Sequence, residues 1–179
     1  CLVTNASGSE VWKSSNYTLS SFDSSSARGG SMKSGLLTDK NVSLFLFCSA
    51  PIKNGNEIIG ACVIGLDLSE HEWLDNVKAQ TATEVTLFSG NTRYSTTVTN
   101  SDGSRAVGTT MSAAVEKQVI QNKQTYTGQA EILGQNHYVC YEPMYDINGN
   151  LIGAYFAGSS STASDKEFAT VIVISCLIG

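Results

Sequence analysis

Residues able to do chemistry are few in this chain and widely spaced. Among 179 residues there are two histidines, His71 and His137, and five cysteines. No Cys-x-x-Cys or His-x-x-x-His spacing occurs, so no metal-ligand pattern is present. There is no nucleophile elbow, no phosphate-cradling P-loop, and no Ser-His-Asp set beyond what chance supplies. What stands out is charge placed among β-prone apolar residues. Asp67 closes the run GACVIGLDLS. A carboxylate at a strand end can face a half-buried pocket and pair with a cation. The other use of that position is to cap a following helix, although Ser69 is the better cap. Arg93 stands at or just before a short strand. Half-buried, it could hold a carboxylate through two parallel hydrogen bonds; solvated, it is an ordinary strand arginine. Tyr126, Tyr138, Tyr141, Tyr155 and His137 crowd strands of the second half, where aromatics either pack or stack on a ligand. This inventory implies recognition, with no catalytic residue, no metal site and no cofactor.

The elements that must position these residues come from a stretch that occurs twice. CSAPIKNGNEIIGACVIG, residues 48–65, returns as CYEPMYDINGNLIGAYFAG, residues 140–158. Cys48 and Pro51 match Cys140 and Pro143; Gly60, Ala61 and Gly65 match Gly153, Ala154 and Gly158. Asn-Gly between two β-prone runs is a hairpin signal, because both residues tolerate positive φ. Each copy therefore predicts two long antiparallel strands around a tight turn. The repeat extends upstream, where Val3-Thr4, Gly8 and Trp12 match Val85-Thr86, Gly90 and Tyr94, and Ser34-Gly35 matches Thr127-Gly128. A period near 90 residues is too long for a solenoid and suits two small modules in tandem. Each module runs strand, turn, strand, a variable insert, strand, turn, then the long hairpin.

The first insert, residues 16–34, is polar, with Tyr17, Leu19 and Phe22 as its large apolar anchors. NVSLFLFCSAPI reads as a strand apolar on both faces and so covered on both. Ser69 with Glu72 forms a capping pattern ahead of a helix in SEHEWLDNVKAQTATE, with Trp73, Leu74 and Val77 on one face and His71 on the surface. SAAVEKQVIQNKQ predicts a second helix, with Ala114, Val115, Val119 and Ile120 turned inward as a lid over the second sheet. If Asn54-Gly55-Asn56 is a three-residue turn, Cys48 stands opposite Cys62, and the second copy sets Cys140 opposite Tyr155. Two free thiols or a strained cross-strand disulfide are both compatible with that register.

The order of elements, and above all VTLFSGNTRYSTTV, DGSRAVGTTMS and YTGQAEILGQNHYVCYEPMYDINGNLIGAYFAG, resembles the PAS-like modules of Cache domains. These are extracytoplasmic sensor domains of bacterial chemoreceptors and sensor kinases. Two modules in series resemble the double-Cache arrangement, and the second half alone is similar to single Cache domains. The resemblance implies an α+β fold of two five-stranded antiparallel sheets, each with a lid loop or helix. It divides the chain into a membrane-distal module, 1–68, lacking its N-terminal helix; a linking helix, 69–84; a membrane-proximal module, 85–160; and the start of a transmembrane helix, 161–179. It further implies that the first insert walls a ligand pocket, so that Asp67, Arg28, Tyr17 and Asp39 are the ligand-binding candidates. Arg93, Tyr126 and Tyr141 are secondary ones. The Arg-x-Trp set of amino-acid-binding members is missing, since Gly29-Gly30 follow Arg28. An amine or another small polar metabolite is then the implied ligand. The implied setting is the cell membrane, with contact through flanking helices and a homodimer in a full receptor. The output is chemotaxis, with a histidine kinase or diguanylate cyclase as the alternative. A ligand-free envelope interaction module is the competing class.

Composition agrees with this and excludes other classes. Hydrophobic residues at 41% and charged residues at 15% make a globular chain. A net charge of −5 argues against nucleic acid, which requires a basic face. The run FATVIVISCLIG, residues 168–179, is apolar and uncharged. Its twelve residues are fewer than the roughly 20 of a membrane span, and it reads either as the start of such a span or as a core strand. The chain opens on a strand with no signal peptide, and is read as a fragment of a longer receptor.

Overall fold

The sequence repeat returns in three dimensions as two sheets with one strand order. The structure, a computed structural model, describes residues 1–15, 24–38 and 43–161. The first sheet comprises β1 (Leu2–Asn5), β2 (Glu10–Lys13), β3 (Lys33–Thr38), β4 (Leu44–Asn54) and β5 (Glu57–Asp67). The second comprises β6 (Glu84–Ser89), β7 (Thr92–Thr96), β8 (Tyr126–Ile132), β9 (Gln135–Tyr145) and β10 (Leu151–Ser160). The orders are β2-β1-β5-β4-β3 and β7-β6-β10-β9-β8, antiparallel throughout. Helices are short: α1 (Ser25–Arg28), α2 (Glu72–Thr81) and α3 (Ala113–Glu116), which runs on as a π-helical turn over Lys117–Gln121. The chain divides into two compact units. One is Cys1–Leu68 with Asp146–Gly149; the other is Ser69–Tyr145 with residues 150–161.

Two repeated glycines have a physical cause. A Cβ on Gly60 would lie 2.2 Å from the Thr4 carbonyl oxygen, and one on Gly153 would lie 1.9 Å from that of Phe88. In both sheets the first strand passes so close to the last that no side chain fits between them.

Both hairpins turn where the Asn-Gly pairs place them, but among the described residues only the glycines, Gly55 and Gly149, take positive φ, not the asparagines, and the first hairpin's register differs from the expected one. Asn54 pairs with Glu57, leaving a two-residue turn with Gly55 at φ +59°. A bulge follows between Ile52 and Lys53. Cys48 therefore faces Ile64, and Cys62 faces Ala50. The expected Cys48–Cys62 pairing is wrong because the shorter turn and the bulge together shift the register by two residues. Cys62 instead lies with its Sγ 3.9 Å from that of Cys1. In the second hairpin Cys140 faces Ala157, and Tyr155 faces Glu142.

In the first unit Phe45, Phe47 and Ser49 are buried along β4, and Ala27 of α1 is buried where the helix packs on β4 and β5. The expectation that β4 is covered on both faces does not hold for the described residues. Leu46 is 46% exposed, its cross-strand neighbour Leu66 48%, and Ile64 58%.

In the second unit Phe88, Tyr141, Ala154 and Phe156 line one face of the sheet, and the segment between β7 and β8 lies over them as a lid. Val98, Ala106, Met111, Val115 and Val119 of that segment are buried in the same core. Val115 and Val119 share a helix face, as four-residue spacing requires. Ala114, expected inward, is exposed, because it sits about 100° round the axis from Val115. Helix α2 begins at Glu72 with His71 at its N-cap, two residues later than the capping pattern at Ser69 implied. Among the described residues no helix is long and apolar enough to cross a membrane. Residues 162–179, the expected start of a span, lie outside the described residues.

Candidate functional site

The second unit holds a buried cation beside a cavity. Arg93 lies on β7 opposite Phe88, and alternation turns its side chain onto the inner face of the sheet. It is 5% exposed. Its Nη1 donates to Thr109 Oγ1 at 2.6 Å, and that hydroxyl donates to the Ala106 carbonyl at 2.7 Å. The Arg93 backbone is tied to the same lid loop: its N–H donates to the Thr109 carbonyl, and its carbonyl accepts from Gly108 N–H. The guanidinium stands over the Phe88 ring, 5.2 Å from its centroid. Its Nε is buried with no hydrogen-bond partner, and among the described residues no carboxylate pairs with it. Burial pulls its pKa below the usual arginine value, opposed by nearby Tyr141, yet a guanidinium keeps its charge at neutral pH.

Tyr141 sits beneath, 2% exposed, on β9. Its ring meets those of Phe156 at 4.8 Å, Phe88 at 5.9 Å and Tyr126 at 6.1 Å. Burial raises its pKa to about 12, and the Arg93 charge opposes that rise. Tyr126 is its cross-strand partner on β8 and donates its hydroxyl to the Gln129 carbonyl at 3.1 Å.

These three residues border a cavity of about 240 Å³, with Thr110, Met111 and Ser112 from the lid and residues 129–133 from β8 and its turn. That is small beside the roughly 300–1,000 Å³ of drug-sized sites. Its floor is sheet and its wall is the lid, so the sequence's secondary candidates converge. Thr109, which holds Arg93, and Ser112, which caps α3 by accepting from Val115 N–H at 3.4 Å, carried no signal in the sequence beyond membership of a polar loop.

The primary candidates do not converge in this way. Asp67 is exposed at the end of β5, opposite Phe45. Arg28 lies at the other end of the sheet: a Cβ on Gly8, in the β1–β2 turn, would be 2.9 Å from its Cζ. That turn adjoins Gly60, since Asn5 pairs with Gly60, seven residues or roughly 23 Å along β5 from Asp67. Tyr17 and Asp39 lie outside the described residues.

A second cavity, about 290 Å³, is bordered by Glu84, Asn100, Gln135 and His137 among others. Its ionisable groups are engaged. Glu84 accepts from Lys78 at 2.6 Å and from Thr97 at 2.5 Å, and His137 Nδ1 is 2.9 Å from the Gln135 carbonyl. His71, expected on the surface, is half-buried with Nδ1 2.7 Å from the buried Ser95 hydroxyl. Among the described residues no three His, Cys, Asp or Glu side chains gather as a metal site.

A family model described as single cache domain 3 matches residues 66–171, which contain the whole second sheet, its lid and the Arg93 cavity. Two solved structures are similar to the chain. One is the ligand-binding domain of the Pseudomonas aeruginosa PAO1 amino-acid chemoreceptor PctC in complex with GABA, at 16% identity and TM-score 0.36. The match covers 82% of this chain and 64% of that one, so the chain spans less than two thirds of that domain. The other is the ligand-binding domain of PctB from the same organism in complex with L-Arg, at 12% identity and TM-score 0.40, covering 92% of this chain and 72% of that one. No curated protein matches the chain.

Proposed function

Because the chain belongs to the single cache domain 3 family, we propose that it is the extracytoplasmic sensing part of a transmembrane chemoreceptor, with its ligand seated between the second sheet and that sheet's lid. The observation that carries this reading is Arg93, a buried cation whose Nε has no hydrogen-bond partner and whose side chain borders a small cavity. An uncompensated buried charge is costly to keep, and such groups gather where a ligand completes them. The ligand is a small polar molecule, and Arg93, Tyr126 and Tyr141 are its contacts. This moves the binding role from Asp67 and the first insert to the second unit.

The signal follows from position. The lid reaches Arg93 through Thr109 and the two backbone bonds, so a ligand bridging sheet and lid favours one lid arrangement over others, and that bias is the output. The remaining parts of the proposal are the tandem modules divided at 69–84, flanking membrane helices and a homodimer. They rest on the family and the sequence repeat. A sensor of a histidine kinase or diguanylate cyclase would use the same site. The test is a thermal-shift screen of the chain against metabolite libraries, repeated with Thr109→Val. A ligand whose melting shift shrinks in that variant supports the site, and an identical shift in both proteins removes it.

A further inference from the structure

We propose that Cys1 and Cys62 are a disulfide-forming pair, an oxidation site that pins β1 to β5 in the first unit. The proposal stands on the first sheet alone and is independent of the sensing reading.

Placement is the first argument. Val3 pairs with Cys62 across β1 and β5, and strand alternation puts Cys1 on the same face of β1 as Val3. Cys1 and Cys62 are therefore diagonal neighbours on one face of the sheet, and their sulfurs lie 3.9 Å apart as free thiols. A disulfide bond is about 2.05 Å long, so each sulfur has roughly 1 Å to travel. The Cys1 backbone is already held in place: its carbonyl accepts from the N–H of Ser14, just beyond β2, at 2.9 Å.

Access is the second argument. Both cysteines are half-buried, which leaves their sulfurs within reach of a small oxidant, whereas Cys140 is 1% exposed. Ile64 shares the Cys62 face of β5 and is 58% exposed, so that face is open beside the pair.

The effect on the fold is the third. β1 pairs with β5 from Leu2–Val63 to Asn5–Gly60. At the Gly60 end the strands are tight, because the Thr4 carbonyl occupies the space of a Cβ. A bridge from Cys1 closes the other end, and the strand is then fixed at both. The bridge also joins residues 61 apart, and closing so long a loop restricts the unfolded chain. The second sheet has the same strand order without the pair: Thr83 and Tyr155 stand at the matching positions. The thiols are thus an addition to the first sheet and not a requirement of the strand order.

The oxidant is a small disulfide such as oxidised glutathione. The thiolate of one cysteine attacks a glutathione sulfur, the glutathione S–S bond breaks, and one glutathione thiol leaves. The second cysteine attacks the protein sulfur of that mixed disulfide, and the second glutathione thiol leaves. The two cysteine thiols are oxidised, one glutathione disulfide is reduced, and the two thiol protons end on the two glutathiones.

The experiment treats the native chain with oxidised glutathione, digests it without reduction and maps the peptides by mass spectrometry. The expected product is lighter by two hydrogens and links the Cys1 peptide to the Cys62 peptide within one chain. Cys48→Ser and Cys140→Ser keep that link, and Cys1→Ser and Cys62→Ser each abolish it. Hydrogen exchange at the β1 amides slows at least tenfold on oxidation, stays unchanged in β6–β10, and returns to its starting rate with dithiothreitol. Because the mapping reads the native chain, it does not depend on any variant folding. A link from Cys62 to Cys48, links only between chains, glutathione adducts that never close to a bridge, or no reaction at either cysteine overturns the proposal. So does a Cys1–Cys62 bridge that leaves β1 exchange as fast as before.

Discussion

Arg93 and Tyr141 show how a residue's role depends on what surrounds it. Read along the chain, Arg93 is one strand arginine among others; in the fold it is buried, braced by Thr109 and set over Phe88. Removing the brace with Thr109→Val would strip the guanidinium of the hydroxyl that accepts from its Nη1. It should cost about 1–3 kcal/mol, read by urea unfolding. Tyr141 makes a pH prediction. Its phenol is neutral when protonated, and burial raises the folded pKa to about 12 from 10.0. A raised pKa means the stabilisation is complete below pH 10 and is lost as pH climbs from 10 through about 12. At roughly 1.4 kcal/mol per pH unit, the loss is on the order of 3 kcal/mol. Urea midpoints should fall between pH 9.5 and 11.5 in the native chain, and fall less in Tyr141→Phe. Equal slopes in both would show that other groups carry the alkaline loss.

Among the elements, the first strand of each sheet is the most tightly constrained. Gly60 and Gly153 exist because β1 and β6 run carbonyl oxygens through the space a Cβ would need. Relief requires moving backbone, not rotating a side chain. Gly153→Ala should therefore destabilise by about 2 kcal/mol or more, against about 0.5 kcal/mol or less for an exposed turn substitution such as Ser101→Ala. Chemical denaturation of the two variants checks this. The lid is held differently, by the apolar contacts of Val115 and Val119 and by the cap at Ser112. Val119→Ala removes two buried methyl groups and should cost about 2 kcal/mol. Because α3 borders the cavity through Ser112, it should also weaken ligand retention.

At the scale of the whole molecule, one strand order is used twice with different endowments. Among the described residues, the second unit holds a buried arginine with a partnerless Nε whose side chain borders a cavity. Ligand binding should accordingly stabilise the second unit. At a hundred times its dissociation constant a ligand contributes about 2.7 kcal/mol. Hydrogen exchange should then slow across β6–β10 and the lid while amides of β1–β5 stay near their unliganded rates. Protection appearing first in β4 and β5 would place the ligand in the first unit, and with it restore the role expected for Asp67.

The sequence by itself determined the strand inventory and its duplication. Alternating apolar residues and Asn-Gly turns are local signals, and a repeated glycine marks a repeated close approach of backbone. It also carried the family resemblance through the spacing of those signals. Register was beyond it: one residue fewer in the turn and a bulge at Ile52–Lys53 moved Cys48 away from Cys62, and neither is written in residue type. The site was legible only as a set of secondary candidates. Arg93, Tyr126 and Tyr141 are up to 48 residues apart, and only sheet pairing and the lid bring them to one cavity. What tertiary structure decided was burial. The desolvation that sets Arg93 apart from an ordinary strand arginine is a property of its surroundings, supplied here by Phe88, Thr109 and the lid.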